Sequence, residues 1–166
     1  EFIGRLKGAG IKVLHKVPAV RFAEKAEQIG VDAVTVVSYE CGGHPGMGEA
    51  TTMIQIRKAA MKLSVPIIAG GGIVDGNGLA AALALGADGV VMGTRFIASD
   101  ECLIHANFKD AILKCSENDT VIIQRSIRNP IRTRSNKTSD KVLALEAKGA
   151  SLQELLTMTA GVIAKG

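Results

Sequence analysis

The sequence predicts an α/β fold built on about four parallel strands, and three observations predict it. Short apolar runs alternate with stretches of helical period, and glycines mark most of the junctions between them. The composition is 47% hydrophobic but only 3% aromatic, a supply of small aliphatic side chains suited to strands buried on both faces. The 166 residues suffice for one domain with a sizeable core.

The first apolar run is Ile11–Val17. A helical pattern follows from about Ala19 to Ile29, with Phe22, Ala23, Ala26 and Ile29 on one face and Gly30 as the stop. The second run, Ala33–Tyr39, is rich in β-branched Val and Thr. After a Gly-rich loop, Met53, Ile56, Ala60 and Leu63 give helical spacing over Thr51–Leu63. Pro66–Ala69 is the third strand, Gly70, Gly71 and Gly72 form a loop, and an Ala- and Leu-rich helix runs from about Asn77 to Leu85. Gly89–Met92 is the fourth strand. Helical crossovers of this length join parallel strands, so residues 1–98 read as repeated βα units of a doubly wound sheet or a barrel. A complete (β/α)₈ barrel takes typically ~250 residues, and four units make about half of one.

After Met92 the rhythm changes. Ser99–Lys114 reads as a helix, Thr120–Thr133 as an extended segment, and Thr138–Lys148 and Ser151–Ala164 as helices. Residues 99–166 are therefore expected to form C-terminal helices and an extended basic connector of the same domain. That connector carries Arg125, Arg128, Arg132, Arg134 and Lys137, and reads either as a solvated rim segment or as a dock for an acidic or phosphorylated partner. The chain opens on Glu1-Phe2-Ile3, already in helical pattern, and stops directly after an apolar helical stretch, so both ends read as truncated.

Several classes of function are disfavoured. No apolar run reaches the roughly 18–20 residues of a membrane span, and no charged leader precedes an apolar stretch. Cys41, Cys102 and Cys115 are odd in number and lack CxxC spacing, which argues against a disulfide framework or a metal site and for a reducing, cytoplasmic setting. The net charge of +4 comes from scattered residues, and aromatic platforms for nucleic acid are scarce.

Loops at the carboxyl ends of parallel strands gather on one face, where such folds place their sites. Here they hold Lys16, Glu40–Gly48, Gly70–Gly72 and Gly93–Arg95. Glycines allow close backbone approach to an anion, and Gly70-Gly71-Gly72 leads into a helix start. A lone glycine triplet would suit a plain turn, but the next strand also ends in glycine, at Gly93-Thr94, and paired loops of this kind hold phosphate in barrels. His44 sits between two glycines and Pro45-Gly46, an unusual backbone around one titratable ring, and is the candidate acid–base residue. Either His15 or Lys16 could face a ligand, because parity alone leaves the strand face open. His105 reads as surface and Cys41 as a small packing residue.

Glu40–Gly46 (ECGGHPG), Val65–Phe96 (VPIIAGGGIVDGNGLAAALALGADGVVMGTRF) and Arg128–Lys137 (RNPIRTRSNK) resemble the nitronate monooxygenases, and the likeness spreads over nearly the whole chain. The glycine patterns recur in other phosphate-binding barrels. The Gly-Gly-His loop is more selective, being shared with the related FMN-dependent enoyl-acyl-carrier-protein reductases. The resemblance implies the C-terminal half of a (β/α)₈ TIM barrel with a C-terminal helical segment. It implies FMN held by Gly70, Gly71, Gly72, Gly93 and Thr94, with Lys16 and Gly43 beside it and His44 catalytic. The family's usual Ala or Ser after the loop Glu is Cys41 here, and its N-terminal flavin-contacting strand and later Gly/Gln segment have no counterpart in this sequence. The expected reaction is oxidation of alkyl nitronates with dioxygen to carbonyl compounds and nitrite. The alternatives are NAD(P)H-dependent reduction of an enoyl thioester on acyl-carrier protein, or an inactive half-barrel that pairs as a homodimer.

Overall fold

The computed structural model describes residues 2–160. They fall into two compact units: the first runs to Cys41 and resumes from Gly48 to Ile104, and the second takes Gly42–Met47 and continues from His105.

The first unit contains α1 (Phe2–Gly8), β1 (Leu14–Val17), α2 (Val20–Ile29), β2 (Ala33–Val37), α3 (Thr52–Ala60), β3 (Ile67–Gly70), α4 (Gly76–Ala84), β4 (Gly89–Val91) and the short α5 (Thr94–Ile97). The strands form one parallel sheet in the order β1-β2-β3-β4. This is the four-stranded half-barrel α/β arrangement that the alternating pattern predicts. Val17, Val34, Val36, Ile67 and Ala69 enter one core with Val20, Ala23 and Ala26 of α2, Ile56 and Ala59 of α3, and Ala82 of α4. Each buried Val or Ile contributes roughly 1.5–3 kcal/mol, so this apolar face stabilises the sheet–helix contact.

Strand parity now resolves His15 from Lys16. Val17 is in the core, so His15 shares the helix-facing side and Lys16 the other. Lys16 stands in a row with Thr35, Ile68 and Gly89, and the next row holds Val37, Gly70 and Val91. Leu14 and Val91 on this face are exposed. The first strand is shorter than Ile11–Val17 because its early backbone groups are engaged elsewhere. The Ile11 N–H closes α1 on the Leu6 carbonyl, and the Val13 N–H donates to Asp32 at 2.9 Å. That bond, with Lys12 at 3.1 Å, holds the Asp32 carboxyl below its ordinary pKa.

The second unit contains α6 (Ala106–Leu113), β5 (Thr120–Ile123), β6 (Ile131–Arg134), α7 (Lys137–Ala147) and α8 (Leu152–Thr159). Two expectations change here. The extended segment is an antiparallel hairpin, with Ile122 opposite Arg132. Its connection turns through left-handed residues Gln124 (φ 60°) and Arg128 (φ 58°), which carry none of the usual Gly or Asn-Gly signals. The helix expected over Ser99–Lys114 starts only at Ala106, where the His105 ring accepts the Asn107 N–H at 3.1 Å. Upstream, Leu103 is fully exposed, so a helix there would lack the packed face that sustains a short helix. Capping boxes at Asn136/Ser139 and Ser151/Glu154 start α7 and α8. Ile123, Val142 and Leu155 form the core of this unit. Residues 161–164 of the last expected helix lie outside the described residues.

Among the described residues, no helix is long and apolar enough to cross a membrane, and no cluster of His, Cys, Asp or Glu is placed to hold a metal ion.

Candidate functional site

The carboxyl edge of the parallel sheet carries the glycine loops. β3 ends at Gly70, and Gly71 and Gly72 follow with φ of 103° and 72°, a region costly for any side chain with a Cβ. Space argues the same way. A Cβ on Gly71 would lie 3.1 Å from the Cys41 nitrogen and 3.2 Å from the Ser38 carbonyl oxygen, and one on Gly72 would lie 3.2 Å from the Glu40 Cβ. The N–H groups of Gly71 and Gly72 make no hydrogen bond to another described residue. Two adjacent N–H donors on glycine backbone, beside the loop that enters α4, fit an anionic group such as a phosphate.

Neighbouring side chains brace this edge. Glu40 spans from the β2 loop to the Thr52 backbone N–H, both carboxylate oxygens lying 3.0 Å away, and Thr52 Oγ1 donates to the Gly71 carbonyl at 2.6 Å. Arg95 donates through Nε to the Val74 carbonyl at 2.6 Å, tying the segment after β4 to the loop after β3. Gly93 is the N-cap of α5 and Thr94 its first residue, and both are exposed. Lys16, Gly70–Gly72 and Gly93-Thr94 are thus carried by one sheet. The sequence places Glu40 and Arg95 within the site-face loops without marking a role for them, and it does not mark Thr52 at all. The signal was weak, since a Thr-Thr pair at a helix start predicts capping by Thr51, whose side chain makes no cap bond here.

His44 and Gly43 belong to the second unit. Gly43 pairs with Arg132 of β6 as an isolated antiparallel bridge, donating to the Arg132 carbonyl at 3.0 Å and accepting the Arg132 N–H at 2.7 Å. Pro45 is fully buried, whereas His44 between them is exposed. The loop is therefore fixed on both sides of the ring, with Gly43 and Gly46 in left-handed conformations (φ 79° and 77°). An exposed imidazole on a fixed backbone can exchange a proton with a small molecule.

The parallel βα sheet, with glycine loops at its carboxyl edge, places the chain among the α/β half-barrels. More specifically, the chain belongs to the nitronate monooxygenase family, whose sequence profile matches residues 1–166. It is 38% identical over 149 residues to a Rhodococcus jostii (3aS,4S,5R,7aS)-5-hydroxy-7a-methyl-1-oxo-octahydro-1H-indene-4-carboxyl-CoA dehydrogenase, covering 90% of this chain and 41% of that protein. A probable nitronate monooxygenase of Staphylococcus aureus is 36% identical over 130 residues, covering 74% of this chain and 37% of that one. The solved structure of FabK from Thermotoga maritima superposes with a TM-score of 0.91 at 37% identity, over 97% of this chain and 50% of that chain. The chain thus spans about half or less of the length of these proteins.

Proposed function

We propose that this chain carries the phosphate grip and the acid–base histidine of an FMN-dependent oxidoreductase that oxidises alkyl nitronates with dioxygen to carbonyl compounds and nitrite. The observation that carries the reading is the Gly71–Gly72 pair. Its backbone conformation excludes side chains and leaves two N–H groups for an anion, in a chain matched throughout by the nitronate monooxygenase family. The Staphylococcus relative, a probable nitronate monooxygenase, supports the substrate class.

When bound, FMN supplies the redox chemistry between the substrate carbon and dioxygen. The chain's own residues do the rest. The N–H groups of Gly71 and Gly72 donate to the phosphate, with Gly70, Gly93 and Thr94 completing the glycine edge. Lys16, on the sheet face away from the helices, adds a positive charge, and Gly43 holds the backbone beside His44. An imidazole nitrogen of His44 takes the α-proton of a neutral nitroalkane, and the resulting imidazolium pairs with the nitronate oxygens. His44→Asn in the full-length protein is therefore expected to retain flavin but lose turnover of neutral nitroalkanes by roughly 10²–10⁴-fold, the usual contribution of a general base. Unchanged nitroalkane rates overturn the assignment of His44.

A second reading, NAD(P)H-dependent reduction of an enoyl thioester on a carrier protein, is favoured by the similarity to FabK and to a relative named for a CoA thioester. Anaerobic mixing separates the two. Bleaching of the flavin by nitronate but not by NADH supports the first, and rapid bleaching by NADH supports the second.

A further inference from the structure

We infer that Thr52, held by Glu40, is a positioning residue that sets the orientation of the Gly71–Gly72 peptide and so prepares its N–H for phosphate; the inference rests on the phosphate reading above.

The argument begins at the start of α3. The first turn of a helix leaves backbone N–H groups without intrahelical partners, and Thr51 at the N-cap supplies no side-chain acceptor. Glu40 substitutes from the preceding loop. Both of its carboxylate oxygens lie 3.0 Å from the Thr52 N, and Oε2 lies 3.2 Å from Thr52 Oγ1. A carboxylate at this position also meets the positive end of the helix. Thr52 has one hydroxyl hydrogen to give, and the shorter contact, 2.6 Å, is to the Gly71 carbonyl oxygen.

Peptide planarity carries the effect onward. In a trans peptide the carbonyl of Gly71 and the N–H of Gly72 point in opposite directions within one plane. Pinning the carbonyl against Thr52 therefore pins the Gly72 N–H on the side away from Thr52. Between two glycines that plane lacks the Cβ clashes that limit its rotation elsewhere in a chain. A loop that samples two orientations binds with an affinity reduced by the fraction in the competent one. Glu40 also walls the loop, its Cβ being the atom that a side chain at Gly72 would strike.

The test compares FMN with riboflavin, which lacks the phosphate, by quenching of flavin fluorescence on the full-length apoprotein. Wild type is expected to bind FMN more tightly than riboflavin. Thr52→Val, similar in shape but without the hydroxyl, is expected to weaken FMN roughly tenfold, the effect of one well-made hydrogen bond, and to leave riboflavin unchanged. Thr52→Ser should restore the preference. Glu40→Gln, which keeps one acceptor for the helix N–H, should give a smaller loss of the same kind and carries the test if Thr52→Val fails to fold. A wild type that binds both flavins equally overturns the phosphate reading itself. A wild type that prefers FMN, with variants that keep the full preference or lose both flavins equally, overturns the clamp alone.

Discussion

The two units fix their backbones by different means. In the first, periodic burial does it. Val34, Val36, Ile56, Ala59 and Ala69 are wholly inaccessible, and the glycine loops begin where this apolar register ends. In the second, the apolar core is small, and a polar knot shapes the hairpin. Gln124 is 1% exposed. Its N–H donates to Glu146 at 2.7 Å, its amide donates to Thr159 at 2.9 Å and accepts from Asn129 at 3.1 Å, and Glu146 also takes the Ser126 N–H and hydroxyl. The difference teaches where each kind of force is useful. Apolar burial is non-directional and places whole elements, whereas hydrogen bonds are directional and hold a loop residue in a left-handed conformation it would otherwise avoid.

The largest expected effects come from the two cores. Ile56→Ala and Leu155→Ala each remove a fully buried side chain and should cost about 2–5 kcal/mol in denaturant unfolding. Hydrogen exchange sharpens the contrast: Ile56→Ala should lower protection first in β2 and β3, and Leu155→Ala first in β5 and α7. Loss spread evenly over both units in each variant breaks the comparison. Next comes Glu146→Ala, which removes the acceptor of the Gln124 N–H in a buried residue and of the exposed Ser126 N–H, and should cost about 2 kcal/mol, with faster exchange of those two amides. An unchanged unfolding midpoint shows that the knot contributes nothing. The smallest effect belongs to Ser38→Ala at the end of the apolar register. Its Oγ is buried without a hydrogen-bond partner among the described residues, so removal should change stability by less than about 1 kcal/mol and in the favourable direction. A clear loss of stability in that variant points to a buried water on the hydroxyl.

The same contrast explains what the sequence disclosed. The four parallel strands follow from runs such as Ala33–Tyr39, because a strand buried on its helix-facing side needs β-branched residues at every other position. The glycine loops follow too, since Gly71 and Gly72 occupy conformations that few other residues adopt. Parity in the short first strand was not legible, as Leu14-His15-Lys16 shows no apolar alternation and Val17 at its end is the single buried residue of the strand. The hairpin was hidden for a different reason. Gln124 adopts left-handed backbone among contacts that reach Glu146 and Thr159, up to 35 positions away, and no local signal encodes that. Thr52 and Glu40 fall in the same group, because a cap supplied from another loop cannot be read from the helix it caps.

The bridge between Gly43 and Arg132 has a consequence for how such a site changes over time. Both of its hydrogen bonds use main-chain atoms, so the mooring of the histidine loop does not depend on which side chain stands at position 132. Any residue that keeps a backbone N–H preserves it, and only proline abolishes the donor. The contact can therefore persist while its residue drifts freely, a dependence that a column of aligned side chains would not reveal.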